Sequence, residues 1–325
     1  MYPTLIIGIS NRGMTWAEAV QAHPDLELAG VVDIDPEVLA TRSGELKLQE
    51  LQRHLDYRQA LASGGYRIAI VVTPNHLHYP IAKDVLEAGI HCVLEKPFTE
   101  QLAQAEELTR LANRNGLALV ICHNYRFKAP FMRIVEAFRN DKLGRLIGVE
   151  VSFHRHRPPR YDHERRMSYP LLFIQGIHHL DLLISFLPAP ITEILCRHYL
   201  PPGSPWHSPS VCHLVLRCDD RTLVSYRGSY ECRGEQTPYN GLWRFEFERG
   251  DLFLDAQGRL WQIQDEIRAC LYEPREGERS GDELLLDTVM QTIEEGREAP
   301  TSGRNNLATL RLLFAVIEAG ERSSK

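Results

Sequence analysis

The 325-residue chain has no apolar run of the roughly 18 residues that a membrane-spanning helix requires. Its opening, MYPTLIIGIS, has neither the basic segment nor the long apolar stretch of a signal peptide. The seven cysteines (92, 122, 196, 212, 218, 232 and 270) include no C-x-x-C pair and form no even set. That excludes a disulfide framework and is expected of reduced, mostly buried thiols in a cytoplasmic protein. Positive charge is not in excess. With a formal net charge of −6 the chain offers no basic face for nucleic acid, and no membrane contact is expected either. The one basic run, RHRPPRYDHERR (155–166), is broken by Asp162 and Glu164. It reads as a solvated or substrate-facing loop whose arginines favour an anionic ligand no more than plain exposure. His76 and His78 form an H-x-H, and His154, His156, His178 and His179 recur further on, but none has the spacing of a metal motif, so no metal is expected. Internal repeats and low-complexity segments are also missing.

What is present divides into two rhythms. Up to residue 122, apolar runs of strand length, TLIIGI (4–9), LAGVVD (28–33), IAIVVT (68–73), HCVLE (91–95) and LALVIC (117–122), alternate with amphipathic helical patterns such as 78–88 and 100–115. Strands apolar on both faces, spaced by helices, predict a parallel sheet covered on both sides: a doubly wound α/β domain whose ligands lie beyond the carboxyl ends of its strands. From about residue 146 the pattern turns to long strands with little helix between them, and two helices near 282–296 and 305–320 close the chain. Strand 211–218 carries Val211 and Val215 on one face and Cys212, Leu214, Leu216 and Cys218 on the other. An interior strand of a monomer and a strand facing a second subunit account for it equally well.

The turn after the first strand reads Gly8-Ile9-Ser10-Asn11-Arg12-Gly13, a dinucleotide fingerprint with serine at its second glycine. Serine is small enough to tolerate there, and its hydroxyl can donate to a phosphate oxygen. The following helix start supplies amides and a favourable dipole. Asp33 ends the second strand, where a carboxylate accepts from the adenosine ribose hydroxyls and repels a 2′-phosphate, which favours NAD over NADP. The alternative, an Asp capping the next helix, is already filled by Asp35-Pro36. Thr73-Pro74-Asn75, followed by His78, forms the turn after the strand at 68–73, with ribose contact and helix entry as its roles. In HCVLEKPFTEQL, Glu95 and Lys96 leave an apolar strand with no polar turn between. A ligand crevice there rationalises two charges at the edge of a buried strand: Lys96 where negative charge develops on a substrate oxygen, Glu95 on a ribose hydroxyl, Pro97 stiffening the turn. A surface ion pair is the competing explanation.

These motifs resemble those of the glucose-fructose oxidoreductase / inositol dehydrogenase / MocA family along nearly the full length. The likeness is carried by VVDIDPE, VVTPNHLHYPIAKDVLEAGIHCVLEKPFT, CHNYRFKAP, GRLIGVEV and GIHHLDLL. The resemblance implies an N-terminal Rossmann domain (1–122) and a C-terminal α+β domain (123–325) with a large open, mostly antiparallel sheet, the closing helices packing back toward the first domain. It also implies hydride transfer between NAD or NADP and a carbinol carbon of a sugar, polyol or sugar derivative, and a homodimer or homotetramer formed through the sheet. The family's lysine corresponds to Lys96. Its H-N/x-x-R segment corresponds to His123-Asn124-Tyr125-Arg126, which brings Asn124 to the cofactor and Arg126 to the substrate. Its G-x-H-x-x-D corresponds to Gly176, His178 and Asp181.

The family's acid four residues before that histidine is Ile174 in this chain. Lys96 and His178 are the catalytic pair expected here, with Gln175, His179 and Tyr161 touching substrate. Tyr161, Asp162, His163 and Glu164 are candidates for the missing polar group. His178 also reads as a structural helix-start histidine paired to Asp181, but a buried stripe of Ile177, Leu180, Ile184 and Leu187 leaves it off the packed face. The missing acid keeps two other functions open: an NAD-binding regulatory protein without turnover, and a reductase of an activated C=N or C=C bond.

Overall fold

The computed structural model describes residues 1–49, 52–139 and 142–323. It has two compact units, one made of Met1–Asn124 and Arg279–Ala308, the other of Tyr125–Glu278 and Thr309–Lys325.

Among the described residues the first unit holds a six-stranded parallel sheet: β1 (Tyr2–Ile7), β2 (Leu26–Val32), β3 (Arg53–His54), β4 (Ile68–Val71), β5 (His91–Leu94) and β6 (Leu119–Ile121). Their order is β3-β2-β1-β4-β5-β6. The order reverses between β1 and β4, which is where an open α/β sheet forms its ligand crevice. Every residue of β4 is buried, as a strand covered on both faces must be. The covering helices are α1 (Asn11–Ala22), α2 (Pro36–Glu45), α3 (Tyr57–Ser63), α4 (Asn75–Glu87) and α5 (Leu102–Arg114). Asp35 caps α2 with Oδ1 accepting from the amides of Glu37 and Val38, and Pro36 is the first helical residue.

The second unit contains α6 (Ala129–Arg139), β7 (Leu146–His154), α7 (Asp162–Arg165), α8 (Ile177–Phe186), β8 (Ile191–Tyr199), β9 (Val211–Cys218), β10 (Leu223–Ser229), β11 (Leu242–Phe247), β12 (Gly250–Leu254), β13 (Leu260–Gln264) and β14 (Ile267–Tyr272). These strands form an eight-stranded sheet in the order β14-β13-β12-β11-β7-β10-β9-β8, antiparallel except where β7 meets β10. Trp243, Phe245 and Phe247 of β11 point inward with Phe138 and Phe186, an aromatic layer of edge-to-face and offset pairs. On β9, Cys212, Leu214, Leu216 and Cys218 are buried, while Val215 is 42% exposed opposite the exposed Leu195 of β8. Val215 stands between His213 and Arg217, so the outer face of β9 is mixed rather than apolar.

Two more helices follow the sheet. α9 (Gly281–Glu295) starts with a capping box of Ser280 and Glu283 and belongs to the first unit. α10 (Gly303–Arg322) is divided between the units at Ala308/Thr309. Among the described residues no helix is long and apolar enough to cross a membrane.

Candidate functional site

In the first unit a cavity of about 730 Å³ is lined by residues that follow four neighbouring strands. Gly8 and Ser10 come from the β1 end, Asp33 and Ile34 from β2, Leu55, Tyr57 and Arg58 from β3, and Thr73, Pro74 and Leu77 from β4. The size suits a small-molecule site. Gly8 has φ +96°, and a Cβ there would sit 2.5 Å from the carbonyl oxygen of Val72. A Cβ on Gly13 would collide with the carbonyl of Gly8. Glycine is therefore required at both ends of the loop, for the turn and for the close approach of α1 to β1.

Ser10 is exposed at the N-cap of α1, its hydroxyl makes no capping bond, and the first turn carries no acid. Its hydroxyl and the amides at this helix start remain oriented as an anion site. Asp33 Oδ2 accepts from the Ile9 amide at 3.0 Å and Oδ1 from the Asp35 amide at 3.1 Å, which holds the carboxylate at the cavity wall. Thr73 Oγ1 is buried and has no hydrogen-bond partner among the described residues. A glycine-built approach, an uncommitted serine at a helix N-terminus, a fixed carboxylate and a buried hydroxyl in need of a partner together fit a dinucleotide. Asn11 accepts from Arg42 through its side-chain oxygen.

The turn after β5 is locked from two directions. Glu95 is 6% exposed. Its Oε1 accepts from Arg12 Nε at 2.5 Å and from Trp16 Nε1 at 2.9 Å, and its Oε2 from the Lys96 amide at 3.1 Å. Arg12 also donates to both oxygens of Asp282, at 2.6 and 2.8 Å. Burial alone would raise the Glu95 carboxyl, but the Arg12 and Lys96 charges with the Trp16 bond outweigh it and hold the group below the usual carboxylate range. Glu95, expected on a ribose hydroxyl, and Arg12, expected in the cofactor loop, are instead joined in a partly buried ion-pair network that fixes the glycine-loop helix to the Lys96 turn.

His78 is the second lock. It is buried, with Nδ1 2.7 Å from the Pro97 carbonyl oxygen and Nε2 2.9 Å from that of Thr73. It lies between the turn after β4 and the turn after β5, and burial lowers its pKa, so the neutral ring donates to one of the two carbonyls. The Lys96–Pro97 peptide is cis, and Lys96 itself is half-buried.

In the second unit, His178 is 6% exposed and stacks on Tyr125, ring centroids 4.3 Å apart with planes at 12°. The Lys128 ammonium lies 3.5 Å from the Tyr125 ring centroid and donates to Asn240 Oδ1. Residues His178 to Leu183 are all buried while Ile184 is only half-buried, so no buried stripe sets His178 apart from its neighbours on α8. His179 is fully buried. Its Nε2 donates to the Tyr239 carbonyl and its Nδ1 accepts from Tyr226, both at 3.2 Å, and burial pushes its pKa down to about 4. It is a neutral core histidine, not the substrate contact expected of it. Gln175 donates to Tyr125 and to the Tyr239 carbonyl at 2.9 and 2.8 Å, so its amide also serves the interior.

Arg126 is held by Asp181 in a two-pronged ion pair at 2.6 and 2.9 Å, with Thr309 donating to the same carboxylate. The substrate role expected of Arg126 gives way to this clamp. The residues before α8, Leu172–Gly176, form a π-helical turn. The wider turn means that Ile174, four positions before His178, is not simply one α-turn below it. Tyr161 is exposed at the start of α7, whereas Glu164 is gripped by Arg157 and the Arg160 amide. The side chain of His163 lies outside the described residues. Arg155 covers the Tyr239 ring, so two of the five loop arginines have internal partners. Asn124 begins a short 3-10 turn.

Sequence reasoning missed Asp282, Trp16 and the Tyr57–Arg58 wall of the cavity. The first lies in a helix read only as a closing element, and none has a local motif.

The glycine loop and crevice define a dinucleotide-binding architecture. The model described as oxidoreductase family, NAD-binding Rossmann fold, matches residues 3–123, and the GFO/IDH/MocA C-terminal domain model matches residues 131–251. The chain belongs to the Gfo/Idh/MocA oxidoreductase family. An uncharacterized protein of Sinorhizobium fredii is 24% identical over 98% of this chain and 93% of its own length. The NADP(+)-dependent scyllo-inositol 2-dehydrogenase of Bacillus subtilis is 30% identical over 70% of this chain and 63% of its own. An uncharacterized Escherichia coli oxidoreductase is 32% identical, and the match spans 46% of its length. Among solved structures, an Agrobacterium radiobacter oxidoreductase in complex with NAD+, L-tartaric acid and magnesium superposes with a TM-score of 0.89 at 17% identity, covering 99% of this chain and 97% of that one. The UDP-N-acetylglucosamine 3-dehydrogenase of Acidithiobacillus ferrooxidans gives 0.84 at 20% identity, covering 99% and 98%.

Proposed function

We propose that this protein is a cytoplasmic, NAD-preferring dehydrogenase that oxidises or reduces a carbinol carbon of a sugar, polyol or sugar derivative. The observation that carries the reading is the double lock on the turn after β5: Glu95 bound to Arg12 and Trp16, and buried His78 packed between the Thr73 and Pro97 carbonyls. A lysine on so fixed a turn, at the carboxyl edge of the strand beside β4, suits a reaction that develops charge on one oxygen. Gly8, Ser10, Asn11 and Gly13 would hold the pyrophosphate, Asp33 the adenosine ribose, and Thr73, Pro74, Asn75 and Asn124 the nicotinamide half. When bound, the nicotinamide supplies the hydride chemistry.

Lys96 holds the reacting oxygen and stabilises its negative charge, and His178 takes the hydroxyl proton on oxidation. Tyr125, stacked on His178, fixes the plane of the imidazole. Asp33 favours NAD, since its carboxylate repels a 2′-phosphate. The exposed Leu195–Val215 pair on the open sheet supports association into a homodimer or homotetramer. The sugar or polyol substrate of the relatives enters the proposal through the family alone.

One observation favours a second reading. Ile174 is apolar and the Gln175 amide is engaged inside, so the family's acid has no replacement at this place in the helix. That suits an NAD-binding regulator without turnover, or a C=N or C=C reductase, where a proton acceptor matters less. A panel of polyols, aldoses, sugar acids and nucleotide sugars with NAD and NADP, followed by the absorbance of the reduced nicotinamide, separates these. Turnover on an alcohol supports dehydrogenation; tight NADH binding without turnover on any member supports the regulator.

A further inference from the structure

Away from the residues assigned above, three side chains with soft or imidazole donors meet on the inner face of the second unit's edge strands. β8 and β9 are antiparallel, with His198 opposite Cys212 and Cys196 opposite Leu214. Cys196 and His198 are two residues apart and so share a face, and the register brings Cys212 onto it. The Cys196 and Cys212 sulfurs are 3.7 Å apart, and the Cys196 sulfur is 3.8 Å from Nδ1 and 3.6 Å from Nε2 of His198. One donor atom from each of the three residues falls within 4.8 Å of the others.

The sulfur–sulfur spacing matches a tetrahedral thiophilic ion, and the 3.8 Å from the Cys196 sulfur to His198 Nδ1 lies close to one. With Zn–S near 2.3 Å and Zn–N near 2.0–2.1 Å, tetrahedral angles put sulfur about 3.8 Å from sulfur and about 3.6 Å from nitrogen. Both cysteines are free thiols and are buried, with 3% and 1% of their surface exposed. From these distances and donors the geometry points to a metal site that takes one zinc ion, or another cation with the same liking for thiolate and imidazole, on Cys196, Cys212 and His198.

The surroundings fit a built site. His198 Nε2 lies 3.2 Å from the Val316 carbonyl of α10, and donation there leaves Nδ1 as the ligating atom, the outer-sphere arrangement that orients metal-bound histidines. A Cβ at Gly320 would collide with the His198 ring, so the glycine is what allows α10 to close on it. The Tyr169 ring flanks the imidazole with centroids 4.8 Å apart, and the Tyr169 hydroxyl donates to Glu321. A cavity of about 620 Å³, lined by Tyr169, His198, Glu318 and Glu321 among others, opens on the imidazole. It provides a path for the ion and room for a water as fourth ligand. Binding displaces the two thiol protons to solvent, and the ion staples β8 to β9.

The test uses the full-length chain, reduced and stripped with a chelator, then titrated with cobalt(II) and with zinc(II) against a chromophoric competitor. The expected result is one ion per chain, a thiolate-to-cobalt charge-transfer band with the strong visible absorption of a tetrahedral site, and displacement of cobalt by zinc. Cys196→Ser and Cys212→Ser lose more than about 100-fold in affinity, beyond the 10–100-fold cost of losing an outer-sphere partner. Gly320→Ala weakens binding by displacing the imidazole, and the Cys270→Ser control binds as the wild type does. Because a variant can lose its fold, zinc protection of Cys196 against alkylation in the unmodified chain is measured as well. Absence of the tetrahedral cobalt spectrum in the reduced wild type, equal binding by Cys196→Ser, or alkylation of Cys196 unaffected by zinc overturns the site. So does a Cys196–Cys212 disulfide whose reduction yields no zinc binding.

Discussion

Two regions, the Lys96 turn of the first unit and the surroundings of His179 in the second, handle buried polar groups in opposite ways. In the first, charge is concentrated: buried Glu95 and Asp282 share the half-buried Arg12 in one ion network at a turn that follows a parallel strand. In the second, the polar interior around His179 is neutral: an uncharged imidazole, two tyrosine hydroxyls, an amide and a backbone carbonyl satisfy one another. A buried charge requires a partner, so the charged arrangement fixes specific geometry, whereas the neutral one fills a core with satisfied hydrogen bonds. The lesson is sharpest at the adjacent histidines 178 and 179, which look interchangeable in the sequence. One is enclosed in the neutral network, and the other stacks on Tyr125.

If the charged turn is the chemical one, the largest effects fall on Lys96 and on His178. Lys96→Met and His178→Asn each lower kcat/KM by about 10²–10⁴-fold while the dissociation constant for NADH changes little, measured by steady-state kinetics and fluorescence titration. His179 sharpens the contrast through stability. Its folded pKa, about 4, is below the unfolded value of about 6.5, so the unfolded chain binds more protons between them. Stability from this group is complete above about pH 6.5 and falls as pH drops toward 4, by up to about 3 kcal/mol. Urea midpoints at neutral pH and at pH 5 should therefore converge in His179→Asn relative to the wild type.

Glu95 works from the opposite sign of charge but loses stability in the same direction. Its depressed pKa gives stability that is present above the ordinary carboxylate range and is lost as pH falls through the folded value. Glu95→Gln costs about 2 kcal/mol at neutral pH and shallows the acid limb of the stability curve, since a charge-assisted bond to Arg12 becomes a neutral one. The smallest effect is at the cavity wall: Asp33→Ser shifts the ratio of NAD to NADP kcat/KM toward NADP by about tenfold, near 1.4 kcal/mol.

The parallel sheet was legible because apolar runs such as 68–73 must be covered on both faces, and that pattern is written locally. The strands of the open sheet were legible from alternation, as in Trp243, Phe245 and Phe247. Arg53–His54 is only two residues long, and β14, mostly exposed, has no apolar face to announce it. The charges at Glu95 and Lys96 could be read as buried from their strand, but the partner of Arg12 could not: Asp282 is 270 residues away. Histidine roles were the hardest to read. Burial of His78, His178 and His179 depends on elements distant in sequence, and the π-helical turn at Leu172–Gly176 defeats a count by fours. Cys196, His198 and Cys212 come together only through the register of β8 on β9.

The most direct test of the account is a single-turnover and steady-state comparison of wild type and Lys96→Met on the best alcohol substrate from the panel, with NADH binding measured on both. The account predicts equal NADH binding and a fall of at least about a hundredfold in the rate of nicotinamide reduction. Turnover by Lys96→Met at the wild-type rate would contradict it, as would a wild type that binds NADH tightly and turns over no alcohol at all.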